Sequence, residues 1–230
     1  MPRRKRYLAQ GHAYHVVNRA AKRALMFRSA RDYGVFEDIL EETASLHQAR
    51  IELFAYCVMP NHWHLVLSPT ATDALSAFMH RLTTTHARRW QHESGTTGQG
   101  AVYQGRFTAI PVQSDRHFLT VCRYVERNAL RASLVRRAED WPWSSLWRRE
   151  FEPGTPWSTP WPVQRSPSWT EDVNKPQTAG ELEAVRDAIK RGMPFGDTAW
   201  RESVESAGHR PHQGTAATPD PKAGGLRIRN

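Results

Sequence analysis

Apolar residues along the first part of the chain recur with two different periods, and the switches between them mark out its elements. Residues 12–18 (His-Ala-Tyr-His-Val-Val-Asn) read as a strand. Across 30–48, Tyr33, Phe36, Ile39, Leu40 and Leu46 fall at steps that keep to one helix face. Residues 51–58 and 62–67 are β-rich runs on either side of Met59-Pro60-Asn61, which predicts a hairpin or tight connection. Asp73 is placed to cap a helix over 74–90 that packs through Leu75, Phe78, Met79 and Leu82. A glycine-rich loop at 95–100 is followed by a strand over 101–112. Asp115 then starts a helix with Phe118, Val121, Cys122, Val125, Ala129 and Ala132 on its apolar side. The order is β-α-β-β-α-β-α. Its first six elements predict an α+β, ferredoxin-like antiparallel sheet with helices on one face.

The pattern changes beyond Arg137. Residues 138–180 hold Trp141, Trp143, Trp147, Trp157, Trp161 and Trp169 among many prolines. This is an irregular extension, with its aromatics either packed across the core or exposed to stack unpaired bases. Trp141 and Trp143 are assigned to packing; for the others both readings stand. A short helix is expected over 180–191, followed by Arg191-Gly192-Met193-Pro194-Phe195-Gly196. From 207 the chain is Gly, Pro, Thr and basic residues with little to bury, so disorder is expected. The chain divides into a core domain at 1–137, a Trp/Pro-rich packing extension at 138–180, a helical C-terminal element at 181–206 and a tail at 207–230.

Charge narrows the partners. A formal net charge of +9 and a pI near 10.1 on 230 residues favour phosphate-rich ligands. The basic residues cluster at Arg3, Arg4, Lys5 and Arg6, at Arg19, Lys22 and Arg23, and at Arg81, Arg88 and Arg89. No run approaches the roughly 20 apolar residues of a membrane span, and no apolar signal core follows the basic start. Cys57 and Cys122 lie in apolar segments and read as reduced core residues. A cytoplasmic, DNA-associated protein is expected.

Two side-chain pairs carry the chemistry. His62 and His64 are two apart on a strand, so both imidazoles share one face and Trp63 faces the other way. Neighbouring neutral imidazoles suit a divalent metal with positions left for chemistry; the plain reading is a solvated strand face. His12 and His15 have no ligand spacing with each other and are assigned to structure or DNA contact. Tyr124 and Asn128 are four apart on one helix flank, beside a stripe of Arg123, Arg127 and Arg131.

Together these residues resemble a known family. His62-Trp63-His64 matches the histidine–hydrophobic–histidine motif of HUH endonucleases, and the helix with Tyr124 and Asn128 is similar to the nucleophile helix of their single-tyrosine transposases. The order of Met59-Pro60-Asn61-His62-Trp63-His64, Tyr103-Gln104-Gly105-Arg106-Phe107, Tyr124-Val125-Glu126-Arg127-Asn128 and Trp141-Pro142-Trp143-Ser144-Ser145 resembles REP-associated tyrosine transposases over about 1–148. The resemblance implies the ferredoxin-like fold. It also implies a DNA transposase that cleaves and rejoins single-stranded, hairpin-forming palindromic DNA through a 5′-phosphotyrosine on Tyr124. By the same resemblance His62, His64 and Asn128 hold Mg²⁺ or Mn²⁺. Arg3, Arg4, Lys5, Arg6, Arg19, Arg106, Arg123, Arg127 and Arg131 are the candidate DNA contacts. No general base stands out, and monomer and homodimer remain alternatives. Two rivals are a catalytically silent DNA-binding module of the same fold and a metallohydrolase with a water nucleophile. The latter needs further His or carboxylate ligands, for which Asp115 and Glu126 are the nearest acids.

Overall fold

The computed structural model describes residues 11–152 and 159–209. The elements that position the site are β1 (Ala13–Arg19), α1 (Ala30–Leu46), β2 (Ile51–Met59), β3 (His62–Pro69), α2 (Ala74–Glu93), β4 (Thr108–Val112), α3 (Arg116–Glu126) and α4 (Asn128–Arg131). They are followed by α5 (Ser145–Phe151), α6 (Trp169–Asn174), α7 (Ala179–Arg191) and α8 (Thr198–Ser206). The sheet runs β2-β3-β1-β4 with every neighbouring pair antiparallel. This is the ferredoxin-like order expected of a β-α-β-β-α-β chain.

Period-two alternation decides what each face of the sheet buries. Trp63 faces α1, with its ring 5.7 Å from that of Phe36, whereas His64 faces α3, with its ring 5.9 Å from that of Tyr124. So α1 and α2 cover one face and the tyrosine helix covers the other. A bulge between Leu53 and Ala55 in β2 carries Phe54 onto the second face, where it meets Phe118 of α3 edge-on at 5.2 Å. Trp63, Tyr14, Tyr33, Tyr56, Phe27 and Phe36 are completely buried. Each contributes on the order of 2 kcal/mol by leaving water. Cys57 and Cys122 are free and buried, as expected. Among the described residues no helix is long and apolar enough to cross a membrane.

Several elements depart from the sequence reading. Only Thr108–Val112 of the 101–112 stretch is strand; Tyr103 pairs with Ala20, just past the end of β1, as an isolated antiparallel bridge, and its hydroxyl accepts from Trp63 Nε1 at 3.3 Å. Asp73 precedes α2 but makes no side-chain cap; its carboxylate pairs with Arg50. The single helix expected from Asp115 is interrupted at Arg127, giving α3 and α4. Asp115 does cap α3, accepting from the His117 amide at 2.7 Å.

The extension is more regular than its composition suggests, since it contains α5 and α6 and is followed by α7 and α8. It also closes the open side of β2. Trp141 Nε1 donates to the Val58 carbonyl at 2.9 Å, the Val58 amide donates to the Trp143 carbonyl at 2.9 Å, and the Tyr56 amide donates to Ser145 Oγ at 2.9 Å. The opposite edge is covered in the same way, with Phe195 donating to the Pro111 carbonyl and accepting from the Gln113 amide. Gly196 is required there, because a Cβ would lie 2.4 Å from the Trp200 ring. Both edges are thereby withdrawn from pairing with other chains. Trp141 and Trp143 pack against Tyr33, at 5.7 and 5.1 Å between ring centroids. Trp157 and residues 210–230, where most of the disordered tail was expected, lie outside the described residues.

Candidate active site

The site is built on the central strands. His62 and His64 project from β3 toward α3, with ring centroids 5.0 Å apart. Each has its Nδ1 engaged: His62 lies 2.6 Å from Asn61 Oδ1, and His64 lies 2.9 Å from His15 Nε2. An amide oxygen only accepts, so His62 carries its proton on Nδ1 and a lone pair on Nε2. That is the tautomer of a metal-ligating histidine. His15, on the neighbouring strand β1, stacks on His64 at 5.0 Å and 26° and meets Tyr124 edge-on at 6.0 Å.

Burial sets the charge state of this cluster. His62 and His15 are pushed down to about 3, first by burial and then by nearby arginines: Arg19 and Arg131 for His62, Arg131 for His15. His64 is held well below its ordinary value by burial and by the neighbouring His62 and His15. All three are neutral at physiological pH, the form that donates a lone pair to a cation.

Tyr124 comes from the last turn of α3 and is 6% exposed. At the break between α3 and α4 its carbonyl accepts from Arg131 Nη1 at 3.2 Å. The same guanidinium lies 4.0 Å from the Tyr124 ring centroid and donates through Nη2 to Asn128 Oδ1. Arg131 therefore ties the phenol and the amide together from one position. The contact orients the Asn128 amide, because a flipped group would set two donors against each other. Asn128 Nδ2 is buried with no hydrogen-bond partner, whereas Oδ1 keeps a second lone pair after accepting from Arg131. Two imidazoles and one amide oxygen are a donor set that Mg²⁺ or Mn²⁺ accepts. Among the described residues no group of three or more His, Cys, Asp or Glu side chains is arranged to hold a metal. His15 does not complete such a set, since its Nε2 is turned to His64.

The arginines separate into different surroundings. Arg131 is inside the site, and Arg19, at the end of β1, pairs in register with His62. Arg106 is exposed. Arg127 sits at the helix break with Nη1 buried and unpartnered, and the burial and the flanking Arg123 and Arg131 lower its pKa. Arg123 turns away to the extension, donating to the Lys175 and Pro176 carbonyls at 2.7 and 3.0 Å. It lines a cavity of about 200 Å³ with Leu119, Thr120, Trp169, Asp172 and Lys175, which contains neither the histidines nor Tyr124. Arg81 and Arg89 are paired with Glu42 and Glu93. Arg3, Arg4, Lys5 and Arg6 lie outside the described residues.

Neither acid suggested for a hydrolase is available as a ligand. Glu126 is fully buried and accepts from Ser145 Oγ at 2.6 Å, Trp169 Nε1 at 2.7 Å and the Arg149 guanidinium. Asp115 is used by the α3 cap and by His117 Nδ1 at 2.8 Å. Reasoning from sequence missed His15, Asn61 and the inward role of Arg131. His15 had one available signal: it stands on the first strand with the same alternation that brought out His62 and His64.

Comparison with known proteins adds the following. The family model described as "Transposase IS200 like" matches residues 9–128. A solved structure of a REP-associated tyrosine transposase bound to a REP hairpin is similar at 16% identity and a TM-score of 0.52. The match covers 78% of this chain and 100% of that one. A putative transposase from Deinococcus radiodurans R1 aligns at 22% identity over 55% of this chain and 96% of its own, with a TM-score of 0.38. No curated protein matches.

Proposed function

The chain belongs to the IS200-like transposase family, and from that premise we propose that it cleaves and rejoins single-stranded DNA with Tyr124 as the nucleophile. The observation that carries this reading is the packing of Tyr124 against His64 at 5.9 Å, on the sheet face that also bears His62. The Tyr124 oxygen forms a bond to the scissile phosphorus and the bond to the 3′ oxygen breaks. The products are a 5′-phosphotyrosine and a 3′ hydroxyl, which takes up a proton. In the reverse step a 3′ hydroxyl attacks the phosphotyrosine and frees Tyr124. The bond energy is retained in the linkage, so rejoining needs no nucleotide cofactor.

His62, His64 and Asn128 Oδ1 would hold Mg²⁺ or Mn²⁺, which would supply charge stabilisation for the scissile phosphate. The chain's own contribution is orientation and field. Arg131 holds Tyr124 and Asn128 in one arrangement, and Arg19 and Arg131 favour an anionic ligand beside neutral imidazoles. Arg19, Arg106, Arg127 and the Arg3–Arg6 arm are the proposed backbone contacts; Arg123 keeps a place only if its carbonyl contacts are exchanged. The REP hairpin bound to the similar transposase makes hairpin-forming palindromes the first substrate to test.

One observation favours a second reading. Tyr124, His62 and His64 are 6%, 3% and 4% exposed, so a phosphate reaches them only if the site opens. A catalytically silent DNA-binding module of the same fold has no need to open. The two readings separate on a denaturing gel with labelled single-stranded hairpin DNA and Mn²⁺. A protein–DNA adduct is expected with the wild type and with neither Tyr124→Phe nor His64→Ala. Cleavage that survives Tyr124→Phe assigns the nucleophile to water, and binding without cleavage assigns the silent module.

A further inference from the structure

We infer that His15 is a positioning residue for His64: its Nε2 accepts the His64 Nδ1 proton and fixes His64 in the tautomer with the lone pair on Nε2. The inference rests on the metal-assisted reading above, because that lone pair is what a divalent cation binds.

Strand pairing is the source of the contact. His15 stands opposite Val66, two residues beyond His64, so the two imidazoles are diagonal neighbours on the α3 face of the sheet. They stack at 5.0 Å with 26° between planes, and Nε2 of His15 lies 2.9 Å from Nδ1 of His64. Both side chains are buried, at 1% and 4% exposure. A hydrogen bond between two neutral imidazoles contains one shared proton, which leaves two arrangements. If His15 donates, His64 carries its proton on Nε2 and has no lone pair for a cation. If His15 accepts, His64 Nε2 is basic.

His62 has no such choice, since Asn61 Oδ1 can only accept. The two candidate ligands thus share one device, an acceptor on Nδ1 that places the ring's lone pair on Nε2. On β3 the acceptor is the preceding residue in the turn. For His64 it has to come from another strand, and His15 supplies it. Its edge also meets the Tyr124 ring at 6.0 Å, so one side chain sits against both the ligand and the nucleophile. A residue that merely filled this space would need no ring nitrogen, and phenylalanine would serve as well.

The test uses the full chain with nitrogen-labelled histidine. Long-range nitrogen–proton spectra of the wild type are expected to show His64 protonated at Nδ1 and His15 unprotonated at Nε2. His64 found protonated at Nε2 overturns the proposal whatever the variants do. His15→Phe retains the ring and removes the acceptor; His15→Gln retains an acceptor. With matching circular dichroism, His15→Phe is expected to shift His64 toward the Nε2-protonated form and to weaken Mn²⁺ binding by roughly 10- to 100-fold. His15→Gln is expected to fall between it and the wild type. In adduct formation the loss should be recovered at saturating Mn²⁺, a change in the metal requirement rather than in the maximal rate. Unchanged Mn²⁺ affinity in a folded His15→Phe overturns the assignment. A wild type with the expected tautomer but no Mn²⁺ binding leaves the positioning contact standing and refutes the metal-assisted reading instead.

Discussion

At the scale of single residues, the period-two spacing of His62 and His64 was legible because a strand's alternation is local. His15 and Arg131 were not, because their roles depend on which strand lies beside β3 and on where α3 breaks. His86 was hidden for the same reason. It lies on α2 with a 1% exposed side chain, stacked on Phe27 at 5.5 Å, and its Nδ1 is 2.7 Å from the Tyr103 hydroxyl. That hydroxyl also accepts from Trp63 Nε1 at 3.3 Å, so Trp63, Tyr103 and His86 form one buried hydrogen-bonded chain. Burial pushes the His86 pKa down to about 4, with Asp32 opposing the shift slightly. Between pH 6.5 and about 4 the unfolded chain takes up this proton and the native state does not, so stability falls as pH falls. The loss approaches roughly 3 kcal/mol at the acid end. The buried histidines of the site act with the same sign, so the measurement is a difference. Urea unfolding at pH 7 and pH 4.5 should give a smaller acid loss for His86→Gln than for the wild type, although the variant starts less stable. Equal losses would mean that His86 is already charged in the native state.

At the scale of elements, helices and strands came through wherever their apolar pattern was continuous. Residues 101–107 misled, since pairing there is reduced to an isolated bridge between Tyr103 and Ala20 and the continuous ladder with β1 begins only at Thr108. The extension misled in the opposite sense. Its tryptophans are partners of specific groups: Trp161 Nε1 donates to the Phe54 carbonyl at 3.1 Å, and Trp169 Nε1 donates to Glu126. Glu126 joins three elements, with α3 carrying the carboxylate, α5 supplying Ser145 and Arg149, and α6 supplying Trp169. Because Arg149 is only 16% exposed, removing the carboxylate strands a cation against the core. Glu126→Ala should therefore cost about 3–5 kcal/mol in denaturant unfolding, far more than the ~1 kcal/mol expected for Asp115→Ala at the α3 cap. If Glu126→Ala costs no more than the cap variant, the extension is not anchored to the nucleophile helix through this carboxylate. The same anchor explains why Glu126, so close to Tyr124 in sequence, takes no part in the site.

At the scale of the whole molecule, the net charge of +9 indicated the class of partner but could not reveal how the chain completes its own site. Segments distant in sequence cover both edges of the sheet, Trp141–Ser145 along β2 and Phe195 beside β4. Such long-range pairing leaves no periodic signature. One consequence bears on assembly, which the sequence left open between one chain and two. Tyr124 reaches His64 within a single chain, and α3 is held to that chain's sheet by Phe118 against Phe54 and to its extension by Glu126. Exchange of α3 between two chains would break all of these contacts at once. A site assembled in cis predicts that His64→Ala mixed with Tyr124→Phe forms no more protein–DNA adduct than either variant alone, even after the mixture is unfolded and refolded together. In a site assembled in trans, each mixed dimer would pair the intact His64 of one chain with the intact Tyr124 of the other, and adduct would reappear. Recovery of adduct in the mixture would therefore show that α3 leaves its own sheet to act, and that the packing of Tyr124 against His64 within one chain belongs to a resting form.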